Sequence, residues 1–204
     1  MEEEKYISIC ILKLPTYDNI DMSRIYNSDR AHMINSATNI KVKREKYWAY
    51  VVCDFLYMHI KGCHLDNTNF HKEDNGKWYC TDLYCSLCHT DEYVAVAISN
   101  MEVGIDIETK QRFDSMVNKK EIFISKVLNN NDHIEKEEDY IKIWTQKEAI
   151  FKMLNLNFYN PEQIDISKFH VKSIDNLKDF EDLVISIAAT NADYKLNIID
   201  YIEE

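Results

Sequence analysis

At 204 residues the chain has room for one large domain or two small ones, and either can bury a sizeable core. Its 46% apolar content excludes wholesale disorder, and no apolar run reaches the roughly eighteen residues that would span a membrane. A net charge of −11 argues against a nucleic-acid binder, whose surface would be basic. Met1-Glu2-Glu3-Glu4-Lys5 is acidic where a signal peptide is basic, so a cytoplasmic chain is expected, without membrane or nucleic-acid partners and monomeric.

In chain order, Tyr6–Leu12 is an apolar run of strand length, and Asp21–Ala37 is weakly helical. Arg44–Ile60 is a firmer helix, with Tyr47/Trp48, Val51/Val52 and Phe55/Leu56 recurring every four residues. The cationic run Lys41–Lys46 falls at its first turn, where free backbone donors would add to an anion site. Cations snorkelling on a solvated helix end are the plainer alternative. Residues 62–77 read as a polar loop and Trp78–Tyr84 as a strand. Tyr93–Ser99 alternates large Val94, Val96 and Ile98 with small Ala95, Ala97 and Ser99, a strand apolar on both faces and central in a sheet.

Val103–Glu108 then alternates Val103, Ile105 and Ile107 with Gly104, Asp106 and Glu108. As a strand it puts both carboxylates on one face, and Gly104 leaves room beside them. Two carboxylates about 6 Å apart repel by roughly 3 kcal/mol at an effective dielectric near 20, a cost a hard cation such as Mg²⁺ or Mn²⁺ would remove. A helix around Asp114–Val127 is expected next, then an acidic connector, then a long helix ending near Leu154. On that helix Trp144, Glu148 and Lys152 share one face, which makes Glu148 a third carboxylate for the same cation, with Lys147 and Lys152 close by. Ile166–Ile174, Leu183–Thr190 and Lys195–Ile202 read as three closing strands, the last two a hairpin across Asn191–Asp193. The mixture lacks regular βαβ alternation, so the class is α+β.

Six cysteines stand at 10, 53, 63, 80, 85 and 88. Cys85-Ser86-Leu87-Cys88-His89 formally matches a haem-attachment pattern and Cys63-His64 hints at zinc, but reduced, mostly buried thiols are the better reading.

Gly104-Ile105-Asp106-Ile107-Glu108 followed by Trp144-Thr145-x-Lys147-Glu148-Ala149-x-x-Lys152 resembles, position by position, the paired signature of the 4'-phosphopantetheinyl transferases. Cys85–Thr90 resembles that family's Asn-(Ile/Val)-Ser-His-(Ser/Thr), with His89 and Thr90 retained and Ser86 and Cys88 replacing Asn and Ser. Trp78 stands where the family's Gly-Lys-Pro has its proline, and Asn155–Tyr159 lacks the glycines of the family's tail.

The resemblance implies the larger, Sfp-like type: two similar α+β halves about a pseudo-twofold axis, residues 1–100 and 101–204, with the active site between them. It implies coenzyme A phosphates on Arg44, Lys77, Cys88, His89, Lys147 and Lys152, and Mg²⁺ or Mn²⁺ on Asp106, Glu108 and Glu148. The reaction would be attack by a serine of an apo acyl or peptidyl carrier protein on the phosphate bearing pantetheine, releasing 3',5'-ADP. Glu148 would act as base and Lys152 would neutralise phosphoryl charge. A non-catalytic carrier-binding homologue and a metal-dependent phosphohydrolase are the rival readings. An acidic carrier needs a basic surface on this acidic chain, and Lys110–Lys126, five cations against two carboxylates, is the expected docking stretch; its apolar Phe113, Met116 and Phe123 are the alternative.

Overall fold

The computed structural model describes residues 4–15, 20–73, 76–111 and 120–202. The acidic start 1–3 lies outside them, as do Asn75 and the stretch 112–119 with Phe113, Met116 and Lys119; of Lys120 and Phe123 only the backbone is described. The chain forms two compact units, Met1–Met101 with Asp193–Glu204, and Glu102–Ala192.

The first unit is a four-stranded sheet carrying one long helix. Strand β1 (Tyr6–Lys13) runs antiparallel to β5 (Tyr93–Ser99), which also pairs with β4 (Tyr84–His89), and with β9 (Lys195–Ile198) the order is β4-β5-β1-β9. All seven residues of β5 are buried, as its double-sided apolar pattern requires of a central strand. Its large residues Val94, Val96 and Ile98 join a core with Tyr50, Val52, Cys53 and Leu56 of helix α2 (Ile40–Lys61). Each such side chain is worth about 1.5–3 kcal/mol when fully buried.

Helix α2 begins four residues before the expected start. Asn39 caps it, its side chain accepting from the backbone N–H groups of Lys41 and Val42, and Gly62 at φ 74° ends it in the left-handed conformation. The weakly helical stretch before it resolves into a 3₁₀ turn (Met22–Arg24) and helix α1 (Ser28–Asn35). They are separated at Asn27, whose side chain caps α1 and donates to the carbonyls of Asp66 and Phe70. The expected strand Trp78–Tyr84 is two strands. Trp78–Cys80 (β3) pairs with Phe70–Lys72 (β2) inside the supposed loop, and β4 follows a short turn.

The second unit is a three-stranded antiparallel sheet, β6-β8-β7, from Val103–Thr109 (β6), His170–Leu177 (β7) and Phe180–Ala189 (β8). Helix α3 (Lys120–Val127) precedes helix α4 (Glu138–Met153), which packs along β6 and β8. The expected closing hairpin is corrected here. The hairpin is β7–β8, turning at Lys178 and Asp179 with Asp179 at φ 69°, and β9 (Lys195–Ile198) instead runs parallel to β1 in the first unit. The polar run Asp175–Asp182 hides a tight turn, because Asn and Asp tolerate positive φ where most residues do not. The last residues therefore belong with the first unit rather than with the second half as expected.

Candidate active site

Strand β6 turns Gly104, Asp106 and Glu108 toward α4. A Cβ on Gly104 would sit 1.9 Å from the Ala149 carbonyl oxygen and 2.6 Å from the Met153 nitrogen. The room that glycine leaves is therefore filled by the helix itself. Across the sheet Asp106 registers with Ser186, and Ser186 with Ser173. The Ser186 hydroxyl lies 2.8 Å from that of Thr145 and 2.9 Å from that of Ser173, to which Gln146 donates at 3.0 Å. Thr145 also bonds back to the Ile141 carbonyl. This buried hydroxyl chain fixes the height and phase of α4 over the sheet.

With the helix so held, Lys152 Nζ donates to Asp106 Oδ1 at 2.6 Å. Asp106 and Glu108 are buried, and Glu148 is partly so. Burial pushes the Glu148 carboxyl up to about 7; Lys152 opposes the shift, while Asp106 and Glu108 add to it. Tyr159 lies beside Glu148, its ring edge-on to Trp144 and Phe151, and its buried hydroxyl has no partner of good hydrogen-bond geometry, yet it favours the ionised carboxylate. Burial, then the Glu148 charge, drives the Tyr159 phenol far above its ordinary value.

Three coupled carboxylates and one ammonium leave a surplus of negative charge in a partly desolvated place. Oxygen donors with such a surplus fit a hard divalent cation in kind. They are not convergent, however: among the described residues no three His, Cys, Asp or Glu side chains stand close enough together to hold a metal.

Lys147 is not brought to this place. One residue on an α-helix is a turn of about 100°, so Lys147 lies away from the sheet while Glu148 borders it. Its ammonium is fully buried and donates to Asp132, to the Val127 carbonyl at 2.7 Å and to the Pro161 carbonyl at 3.0 Å. Three oxygens already take its three protons, so we correct its expected role from phosphate contact to internal tie.

Beyond Lys152 the missing glycines have a substitute. Asn155 sits at φ 54°, Asn155 N–H bonds the Lys152 carbonyl and Leu156 N–H the Phe151 carbonyl, a Schellman cap built on asparagine.

In the first unit, Arg44 and His89 meet at one corner. Arg44 Nη2 is 3.5 Å from the Asp91 carbonyl oxygen, Lys41 pairs with the Asp91 carboxylate at 2.6 Å, and His89 Nδ1 lies 3.6 Å from buried Glu45. Asn39 already engages two of the α2 N-terminal donors, which removes them from the expected anion site. Lys77 is half-buried just before β3, its carbonyl accepting from the Glu73 N–H at 2.8 Å. Cys88 is buried and bonds the Ala95 carbonyl at 3.6 Å, so its sulfur faces β5, not a ligand. Thr90 is structural too, its hydroxyl accepting from the N–H groups of Glu92 and Tyr93. No helix among the described residues is long and apolar enough to cross a membrane.

Tyr159 beside Glu148, Asp132 beside Lys147, and the pair Ser173 and Ser186 under α4 are contacts that the sequence reading missed. Their only signal is spatial, since each acts across 11 to 41 residues of chain.

In the second unit a buried carboxylate strand thus lies against a helix that returns a carboxylate and a lysine. In comparison with known proteins, residues 102–198 match the family model described as the 4'-phosphopantetheinyl transferase superfamily. The chain is also 29% identical over 105 residues to 4'-phosphopantetheinyl transferase gsp of Aneurinibacillus migulanus. That match covers 47% of this chain and 42% of the relative, so the chain spans less than half the length of the curated relative it matches. Over residues 102–198 the resemblance carried by the two motifs is thus shown.

Proposed function

We propose that this chain transfers the 4'-phosphopantetheine group of coenzyme A to a serine of an apo acyl or peptidyl carrier protein. The serine oxygen bonds to the phosphorus bearing pantetheine, the phosphorus–oxygen bond to the adenylate side breaks, and 3',5'-ADP leaves. Glu148 takes the serine proton, a task its raised position near neutrality suits. Lys152 neutralises charge growing on the phosphoryl oxygens. Asp106, Glu108 and Glu148, which do not converge as they stand, would have to draw together to hold a Mg²⁺ or Mn²⁺ ion, which when bound would supply positive charge to the pyrophosphate. Arg44, His89 and Lys77 are the proposed phosphate contacts; Lys147 and Cys88, spent on internal partners, leave that set.

The observation that carries the reading is the Lys152–Asp106 pair, which joins the strand motif to the helix motif within the very segment that matches the superfamily. Incubation with coenzyme A, Mg²⁺ and a panel of apo carriers, followed by intact mass, tests it. At least one carrier gains a phosphopantetheine mass, and excess chelator abolishes the gain. Modification that ignores the chelator contradicts the metal assignment, and 3',5'-ADP released without any carrier identifies a hydrolase instead.

A further inference from the structure

The first turns of α2 present Lys41, Arg44 and Glu45, three and four residues apart on one face, to the turn that joins β4 to β5. That turn is tightly held: the Thr90 N–H bonds the Tyr93 carbonyl at 2.8 Å, and the Thr90 hydroxyl accepts from Glu92 and Tyr93. His89 ends β4 in register with Val94, so the sheet fixes its backbone while its ring stands half exposed. Glu45 is the buried member of this corner, its side chain 9% exposed. Among the described residues its one charged partner is His89, whose Nδ1 lies 3.6 Å from Glu45 Oε2. A carboxylate withdrawn from water is costly unless a cation stands beside it.

The remaining charges of the corner largely cancel. Lys41 pairs with the Asp91 carboxylate at 2.6 Å and Lys13 stands 4.0 Å from Glu92, each pair neutral as a whole. Arg44, whose Nη2 faces the Asp91 carbonyl oxygen, works against a second positive charge at His89. Glu45 works for it, and it meets the ring from the buried side, where screening is weakest.

We propose that Glu45 is a positioning residue that keeps the His89 imidazole protonated at neutral pH, so that Arg44 and His89 meet a phosphate of coenzyme A with two positive charges instead of one. The role rests on the phosphate contacts proposed above; the pair itself does not. Its pH dependence has a fixed sign. A free imidazole titrates at about 6.5, so well below that pH His89 is charged without help, and Glu45 merely repels the phosphate. Well above it the charge survives only where Glu45 holds it. Glu45→Gln, neutral and equal in size, therefore spares or improves binding at low pH and weakens it at higher pH. Loss of packing alone produces no such crossing.

Calorimetry of coenzyme A with the full-length chain and Mg²⁺ tests this without a carrier. Relative to the parent, Glu45→Gln binds as tightly or more tightly at pH 5.5 and about threefold or more weakly at pH 7.5. His89→Gln binds more weakly at both, and adding Glu45→Gln to it causes no further loss, because Glu45 acts through the ring. Followed by nuclear magnetic resonance without ligand, the His89 ring titrates at lower pH in Glu45→Gln than in the parent. Should Glu45→Gln fail to fold, the parent decides alone: its His89 ring titrates above the roughly 6.5 of free imidazole. An unmoved His89 titration, a parent value at or below that of free imidazole, or equal weakening at both pH values overturns the proposal. If the titration moves but the parent binds no coenzyme A, or His89→Gln binds it like the parent, the phosphate contact fails and takes the positioning role with it, while the pair stands.

Discussion

Glu148 holds the sharpest prediction at the scale of single residues. Its carboxyl titrates near 7 in the folded chain, above the roughly 4.3 of an unfolded glutamate. A raised carboxyl contributes stability that is complete below the unfolded value and is lost as pH rises through the folded one. The metal-free protein therefore weakens between about pH 4.5 and 7.5, and Glu148→Gln removes that part of the slope. At pH 8 the variant is expected to exceed the parent by about 1–3 kcal/mol, discounted for partial solvent access. Urea denaturation in chelator at pH 5 and pH 8 measures both; equal stabilities at pH 8 would show that Glu148 is not strained by its neighbours.

The two lysines of the helix motif divide cleanly. Lys147→Ala leaves Asp132 buried without its cation and costs about 3–5 kcal/mol in denaturant. Lys152→Ala also strips Asp106 of its cation, but at a more solvent-accessible pair, so it costs less than Lys147→Ala in denaturant while lowering turnover about 10²-fold or more. A Lys147→Ala protein of parental stability would refute the buried tie. Strand and helix periods put Asp106 with Glu108 and Glu148 with Lys152 on shared faces, but it was the resemblance of the paired motifs that singled them out as a candidate site. The partners of Lys147 were not legible, since a sequence says where on the helix it stands but not which oxygens wait there.

Among the elements, the seating of α4 on β6 depends on one missing side chain. Gly104→Ala drives a Cβ into backbone atoms of α4, which cannot swing aside as a side chain can. A loss of at least about 3 kcal/mol is expected, against about 1 kcal/mol for Gly62→Ala, where positive φ is strained but nothing lies within 4 Å. Thermal melts of the two variants rank them; a mild Gly104→Ala would mean that helix and strand can part without cost.

The same elements mark how far periodicity reads. Tyr93–Ser99 and Val103–Thr109 were visible because alternation fixes a strand wherever it pairs. The partner of Lys195–Ile198 was not visible. Four residues fit a hairpin with β8 or a parallel seat beside β1, and backbone pairing across the whole chain decides between them. Asn155 shows the reverse, a lost glycine that reads as a lost turn until its backbone proves left-handed.

For the whole molecule, charge governs the encounter with a partner. A net −11 chain meeting an acidic carrier needs local basic surface, and Lys119→Glu with Lys120→Glu is expected to raise the KM for carrier and leave that for coenzyme A unchanged. The salt dependence of kcat/KM should flatten, because such attraction is screened within about 8 Å at physiological strength. Lys110, in the same stretch, donates to the Glu181 carbonyl at 2.7 Å. Unchanged carrier kinetics would move docking onto the apolar side chains of the same stretch.

The most direct measurement is the initial rate at which Asp106→Ala protein, shown by circular dichroism to be folded, modifies an apo carrier that the parent chain accepts. Asp106 belongs to both the carboxylate set and the pair with Lys152, so its loss removes what joins the two motifs. The predicted result is a fall of about 10²-fold or more at saturating coenzyme A and Mg²⁺. A rate within a few-fold of the parent would contradict the assignment of this strand and helix as the active site.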